Sequence, residues 1–304
     1  MSPILKKQYL GRSMTDDSST SESNVKALDA FVLPKAEDDD LKGRFREIIM
    51  DPLNVLIERD PRAGLVEGDL VYLHNGNRVP ISGPGSYYGA FSDILIFNRG
   101  VHEPLEEFVF QEVLKKLPAN ARMLELGAYW SHYSMWLKRC LPHSRTTMVE
   151  PIAENVEAGK GNFALNGFEG TFIQDFVGKG RFQVDQFMAE QGMAGLEVLH
   201  ADIQGFELEM LAGAEVSLRE GRVDCVFVST HSQSLHRSVV ETMQQFGMRV
   251  EIEADFEYDS TSFDGLVFAS SERIAPYFPR FKPMGRQDLL GNRAVDRVAY
   301  LTGR

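Results

Sequence analysis

The sequence predicts an α/β fold with a mostly parallel, seven-stranded sheet covered by helices on both faces, and three observations lead there. Seven short apolar, β-prone runs succeed one another from residue 121 onward, most of them separated by stretches of helical period. A glycine turn follows the first run, and the last two runs, MRVEIEADFEY and DGLVFASS, have no helix between them, which predicts an antiparallel edge. Strands that alternate with helices of about 10 to 15 residues build parallel sheets buried on both sides.

In chain order, residues 1–25 form a tail expected to be disordered. Its segment 13–24 is rich in Ser, Thr and Asp and nearly devoid of apolar residues, so it has nothing to offset its ordering entropy. Residues 26–99 form an accessory element. LKGRFREIIM has helical spacing up to Pro52, and Asn75-Gly76 between LVYLH and NRVPI marks a hairpin. The Gly- and Tyr-rich stretch that follows excludes regular helix and leads to the helix HEPLEEFVFQEVLKKL, with Pro104 at its start. Residues 100–272 form the catalytic domain. Its strands are ARMLELGAY, RTTMVEP, GTFIQDFVG, LEVLHADIQ, VDCVFVSTHS and the final pair, and its helices are SHYSMWLKRCL, AENVEAGKGNFALN, FELEMLAGAEVSLRE and SLHRSVVETMQQFG. Residues 273–304 form an extension without a clear pattern.

Composition narrows the function. A net charge of −12 works against long-range attraction to phosphate backbones, and no dense basic run offsets it, so no nucleic-acid partner is expected. Cys140 and Cys225 cannot supply a disulfide framework and are expected to be buried thiols of a reducing compartment. The first residues lack the apolar core of a signal peptide, and no run of about 18 apolar residues occurs. A cytoplasmic enzyme without a membrane span is the expectation, its oligomeric state open.

Strand-loop-helix units of this kind bind ligands at the carboxyl ends of their strands. The first turn is Glu125-Leu126-Gly127-Ala128-Tyr129. Gly127 permits close backbone approach, and Glu125 offers a carboxylate to a cationic amino group. The turn lacks the further glycines of a dinucleotide pyrophosphate site, which disfavours a nicotinamide cofactor. The second strand ends on Glu150, where a ribose-binding carboxylate belongs; the competing role is to sit at a solvated helix start.

ELGAYWSHYS at 125–134, EPIAENVEAGKGNFALNG at 150–167 with Asn162 and Asn166 in register, and ADIQGFELEMLAGAE at 201–215 together resemble the FkbM methyltransferase family. The resemblance spans about residues 100 to 255. It implies a class I methyltransferase, Rossmann-like fold with S-adenosyl-L-methionine as donor, the turn through Ala128 receiving the methionine part. It also implies an O-methyltransferase whose acceptor is a hydroxyl on a sugar, glycan precursor or small natural product. Asp175 would contact the adenine amino group or be a simple loop Asp, and Phe176 would stack on the adenine or be buried core. Three positions depart from the family pattern: Tyr129 stands for Asn, Ser131 for Gly, and Gln204 for the Glu of D-x-E-G.

Methyl transfer from a sulfonium needs an aligned acceptor, a dry site and the removal of one proton. His200 and Asp202 alternate along one strand and His231 ends the next, so the three are expected to converge as catalytic residues. One role is a histidine base oriented by Asp202. A second makes His200, Asp202 and His231 ligands of a divalent metal holding an acceptor oxygen, and a third is purely structural. Tyr87 and Tyr88 are candidates to cover the ligand or to pack, His102-Glu103 to start a helix or face the cofactor, and His236 to lie on the surface or in a lid. N-methylation of a peptide or amide and nucleotide binding without catalysis are the rival functions.

Overall fold

The computed structural model describes residues 40–302. The expectation of a disordered tail at 1–25 lies outside the described residues. The accessory element opens with helix α1 (Leu41–Met50), N-capped by Asp40, whose carboxylate accepts from Gly43 N at 3.0 Å. A small antiparallel sheet follows, made of β1 (Val66–Glu67), β2 (Leu70–Tyr72) and β3 (Arg78–Pro80). The hairpin turn between β2 and β3 is the one predicted at Asn75-Gly76, with Gly76 at φ +82. The Gly/Tyr-rich stretch then closes into a 3-10 turn (Gly89–Asp93) and the one-turn helix α2 (Ile94–Phe97).

Helix α3 (Pro104–Leu114) leads into the seven-stranded sheet. Its strands and helices run β4 (Arg122–Leu126), α4 (His132–Cys140), β5 (Arg145–Val149), α5 (Ala153–Leu165), β6 (Thr171–Ile173), α6 (Val184–Glu190) and β7 (Leu196–Ala201). They continue α7 (Glu207–Ala212), α8 (Glu215–Arg219), β8 (Val223–Thr230), α9 (Gln233–Gln245), β9 (Met248–Ala254) and β10 (Gly265–Ser271). The order across the sheet is β6-β5-β4-β7-β8-β10-β9, parallel from β6 to β8. The last two strands pair antiparallel at one edge, as predicted. β10 lies between β8 and β9 and runs against both, so β9 is the outermost strand.

Successive residues of each central strand bury on opposite faces. Leu124, Leu199 and Val226 join one core with Met210 and Met243, while Met123, Val198 and Phe227 join the other with Phe110 and Phe268. A third core, with Val71, Val79, Trp130, Met135 and Phe163, lies where the accessory sheet meets α4 and α5. That junction explains two asparagines of the family-like motif. Asn166 on α5 accepts from Arg78 N and donates to Arg78 O, each at 2.8 Å, and so pairs with β3 as a neighbouring strand would. Asn162 donates to Gly85 O at 2.9 Å and Trp130 O at 3.0 Å.

Several elements differ from their predicted form. The stretch FELEMLAGAEVSLRE is two helices, because Asp185 at the start of α6 accepts from Val216 N at 2.9 Å and Ser217 N at 2.8 Å and caps a new helix there. α6 itself was not predicted. The extension at 273–304 holds α10 (Arg286–Gly291) and α11 (Ala294–Thr302), and Phe278 and Tyr300 pack on the core under α3. Cys140, expected to be buried, is exposed at the end of α4, and Cys225 is buried. His236, expected at the surface, is buried, its Nδ1 2.8 Å from Thr230 Oγ1. No helix among the described residues is long and apolar enough to cross a membrane.

Candidate active site

The carboxyl ends of β4, β7 and β8 open into a cleft of about 440 Å³ roofed by the accessory element. Its floor is the turn after β4. Gly127 N and Ala128 N both donate to Val149 O, at 2.9 and 3.2 Å, which folds the turn back over β5. Gly127 has φ +72, and a side-chain carbon there would overlap the carbonyl oxygen of Asp202. The glycine is thus required by the approach of the β7 end as well as by the ligand approach expected from sequence. Tyr129 and Ser131 also take left-handed backbone, at φ 42 and 65, where a side chain costs about 1 kcal/mol. Gly159 on α5 leaves the room that the Ser131 hydroxyl and the Tyr129 carbonyl occupy.

Glu125 lines the cleft and is buried, one oxygen accepting from Ser134 N at 3.1 Å in the first turn of α4. Burial pushes its pKa up, against the opposing pull of His200 and of the Ser134 and Tyr133 groups beside it. Ala128 lines the cleft too. Glu150 sits at the end of β5 as predicted but does not line it. Its carboxylate accepts from Tyr129 N at 3.1 Å, Ile152 N at 3.0 Å and Asn155 Nδ2 at 3.2 Å, so it props the turn from behind. Asp175 and Phe176 also lie away from the cleft. Asp175 accepts from Phe176 N at 2.8 Å, and the Phe176 ring is 54% exposed, which corrects the buried-core alternative for it. The cleft as it stands therefore offers a carboxylate for the amino-acid end of a nucleoside cofactor, while the three residues expected at the ribose and adenine stand apart from it.

The three residues expected to converge do so only in part. His200 borders the cleft, but its Nε2 lies 2.6 Å from Glu106 Oε1, and the other Glu106 oxygen accepts from Ser229 Oγ at 3.1 Å. The pairing belongs to the face of β7 that packs on α3. Burial pushes the His200 pKa down, and Glu106 more than offsets it, leaving it raised. His200 is thus a buried ion-pair partner that borders the cleft, an arrangement in keeping with the structural role among the three expected for it.

Asp202 and His231 do meet. Asp202 Oδ1 is 3.0 Å from His231 Nε2, and Asp264 Oδ1 is 3.5 Å from the same nitrogen. On the far side of the ring, His231 Nδ1 lies 2.8 Å from the fully buried Glu207. Burial alone would push the His231 pKa down; Asp202, Glu207 and Asp264 overcome this and push it up to about 11, while His231 holds Asp202 below the usual carboxylate range. His231 is thus an imidazolium at neutral pH. Gln204, at φ 53, reaches over the pair with its amide nitrogen 2.9 Å from Asp202 Oδ1 and 2.8 Å from His231 Nε2.

Sequence reasoning missed Asp264. The signal was present: Gly265 pairs with Thr230 in antiparallel register, which sets the preceding residue, Asp264, beside the one after Thr230, His231. Finding it required knowing that the last strand lies next to β8. The ligand atoms of Asp202, His231 and Asp264 all fall within 4.8 Å of one another, a nitrogen-and-oxygen donor set suited to several divalent cations.

The roof carries Tyr87, Tyr88 and Glu103. Tyr88 stacks on Tyr129 at 4.9 Å, and the Tyr129 hydroxyl donates to Ser86 O at 2.9 Å. Glu103 precedes α3 and faces the cleft, accepting from the Tyr133 hydroxyl at 2.9 Å. Burial pushes its pKa up to about 8, against the pull of His102.

No protein-family model matches the chain, and no curated protein sequence matches it. Among solved structures it is similar to precorrin-6y C5,15-methyltransferase from Geobacter metallireducens, at 12% identity over 55% of this chain and 89% of that one, with a TM-score of 0.40. It is also similar to M. capricolum TrmK in complex with S-adenosylhomocysteine, at 8% identity over 64% and 82% of the two chains, TM-score 0.39. A third is a TehB-like methyltransferase from Corynebacterium glutamicum, at 10% identity over 54% and 86%, TM-score 0.38. Likeness of this degree carries no argument about chemistry.

Proposed function

We propose that the protein is an S-adenosylmethionine-dependent methyltransferase of FkbM-like type that methylates a hydroxyl of a sugar, glycan precursor or small natural product. The observation that carries this reading is the meeting of Asp202, His231 and Asp264 in a cleft beside the Gly127 turn, with Glu207 fixing the far side of the ring. The three motifs of the sequence support the family, and Glu125 on the cleft wall supports a cofactor with a cationic amino group. Two free cysteines support a cytoplasmic setting.

When bound, the cofactor supplies an electrophilic methyl group, and a divalent cation held by Asp202, His231 and Asp264 supplies Lewis acidity toward an acceptor oxygen. An octahedral ion with bonds of about 2.1 Å has neighbouring donor atoms about 3.0 Å apart, close to the 3.0 and 3.5 Å seen at His231 Nε2. A cation there would take the place of the Nε2 proton that otherwise faces Asp202 and Asp264, while the Nδ1 proton would stay toward Glu207. The chain's own residues do the remaining work. Glu207 keeps Nε2 turned to the cleft, Glu125 receives the ammonium, and the aromatic roof excludes water. Transfer of the methyl group from sulfur to an acceptor oxygen would release one proton, which the carboxylate oxygens of Asp202 and Asp264 not engaged by the cation would take up, and would leave S-adenosylhomocysteine as the neutral thioether.

The test is transfer of labelled methyl groups to a panel of hydroxyl compounds, with chelator and then with added Mg²⁺ or Mn²⁺. O-methyl products that vanish with chelator and return with metal support the reading. Exclusively N-methyl products overturn the oxygen assignment, and activity indifferent to chelator overturns the metal. Calorimetry that detects no binding of S-adenosylhomocysteine overturns the methyltransferase itself.

A further inference from the structure

In the inner wall of the cleft, which His102 and His132 help to line, three histidines and a carboxylate meet almost fully buried. His74 lies in the hairpin turn, Glu107 in the first turn of α3, His102 just before it and His132 in the first turn of α4, and all four are at most 2% exposed. Glu107 is central. Its Oε1 is 2.6 Å from His102 Nδ1 and 3.7 Å from His132 Nε2, and its Oε2 is 3.5 Å from His74 Nε2. Neither ring nitrogen of His132 or of His74 makes a hydrogen bond of normal geometry, nor do Glu107 Oε2 and His102 Nδ1, while His102 N donates to Glu107 Oε1 at 3.1 Å. Buried polar atoms without partners are uncommon and point to a ligand.

We propose that His74, His132 and Glu107 form a second, buried metal site for a divalent ion of the zinc type, with His102 hydrogen-bonding Glu107 from outside to orient it. Zinc takes imidazole and carboxylate ligands at about 2.1 Å in a tetrahedron, whose donor atoms stand about 3.4 Å apart. His74 Nε2 lies 3.5 Å from Glu107 Oε2 and His132 Nε2 lies 3.7 Å from Glu107 Oε1, each close to that spacing although to different oxygens, and one ligand atom from each of the three residues falls within 4.8 Å of the others. The 2.6 Å contact of His102 is too short for a fellow ligand and is that of an outer partner. Trp130 stacks on the His132 ring at 5.1 Å, and Trp136 meets His74 edge-on at 4.3 Å, closing the site. A separate cavity of about 420 Å³, lined by His74, Glu58 and Asp60, leads to it from the side away from the cleft.

The ion would tie together three parts of the chain: the accessory hairpin, the head of α3 and the helix that follows the Gly127 turn. Its role is structural, and it is separate from the Asp202 group. The test uses full-length protein stripped with chelator and reloaded with zinc, in the wild type and in Asp264→Asn, which weakens the cleft donors alone. The expected result is one tightly held zinc in Asp264→Asn, absent in Asp264→Asn/His132→Gln, and a melting temperature several degrees higher with zinc. X-ray absorption at the zinc edge of Asp264→Asn should show two imidazoles and a carboxylate oxygen, a readout that does not depend on a second variant folding. Zinc retained equally without His132, an oxygen-only shell, or no retained zinc overturns the site.

Discussion

The carbonyl oxygen of Asp202 occupies the place where a side-chain carbon of residue 127 would lie. The end of β7 and the turn after β4 are therefore fitted to each other through a missing methyl group, at a backbone conformation that L side chains also disfavour. Gly127→Ala is expected to lower stability by about 2 kcal/mol or more and to abolish binding of S-adenosylhomocysteine. Denaturant melts and calorimetry measure the two effects; a variant that folds and binds as wild type would refute the fit.

The Asp202 group should separate chemistry from binding. Asp264→Asn and His231→Gln are each expected to lower kcat by about 100-fold or more, with affinity for S-adenosylhomocysteine within about threefold of wild type, since neither residue belongs to the turn. A parallel collapse of cofactor affinity would instead place these residues in cofactor binding.

Stability should fall with rising pH in two windows. The Glu103 pKa is raised in the fold to about 8, so its contribution is complete below about 4.5 and is lost as the pH climbs to 8. The His231 pKa is raised to about 11, so its contribution is complete below about 6.5 and is lost between there and 11. Glu103→Gln should flatten the unfolding free energy across the first window and His231→Gln across the second. Unchanged slopes in denaturant melts would contradict these assignments.

Breaking the His200–Glu106 pair leaves a buried charge without its partner. Glu106→Gln is expected to cost about 3 kcal/mol, while the folded fraction keeps kcat within a few-fold. A variant of normal stability with kcat reduced by orders of magnitude would restore His200 to the chemistry.

Much of the sheet was legible because buried parallel strands read as continuous apolar runs and their helices as periodic ones. Glu125, Gly127, Asp202 and His231 were legible because a strand end announces itself in such a pattern. The partner of His200 was not legible, because alternation tells which residues share a face of a strand but not which partner waits there, and Glu106 comes from a helix 94 residues earlier. Glu150 held the predicted position with a different task, since sequence does not reveal that Tyr129, Ile152 and Asn155 occupy its oxygens. The break between α7 and α8 depends on Asp185, and Asp264 on the order of strands at the edge. Such relationships exist only once distant segments meet.

The asparagine clamps have a kinetic consequence. Asn166 reaches back 88 residues to Arg78, and Asn162 reaches 77 to Gly85. Closing loops of this length costs more conformational entropy than closing a hairpin, so the two clamps are expected to form after the local turns of the accessory element.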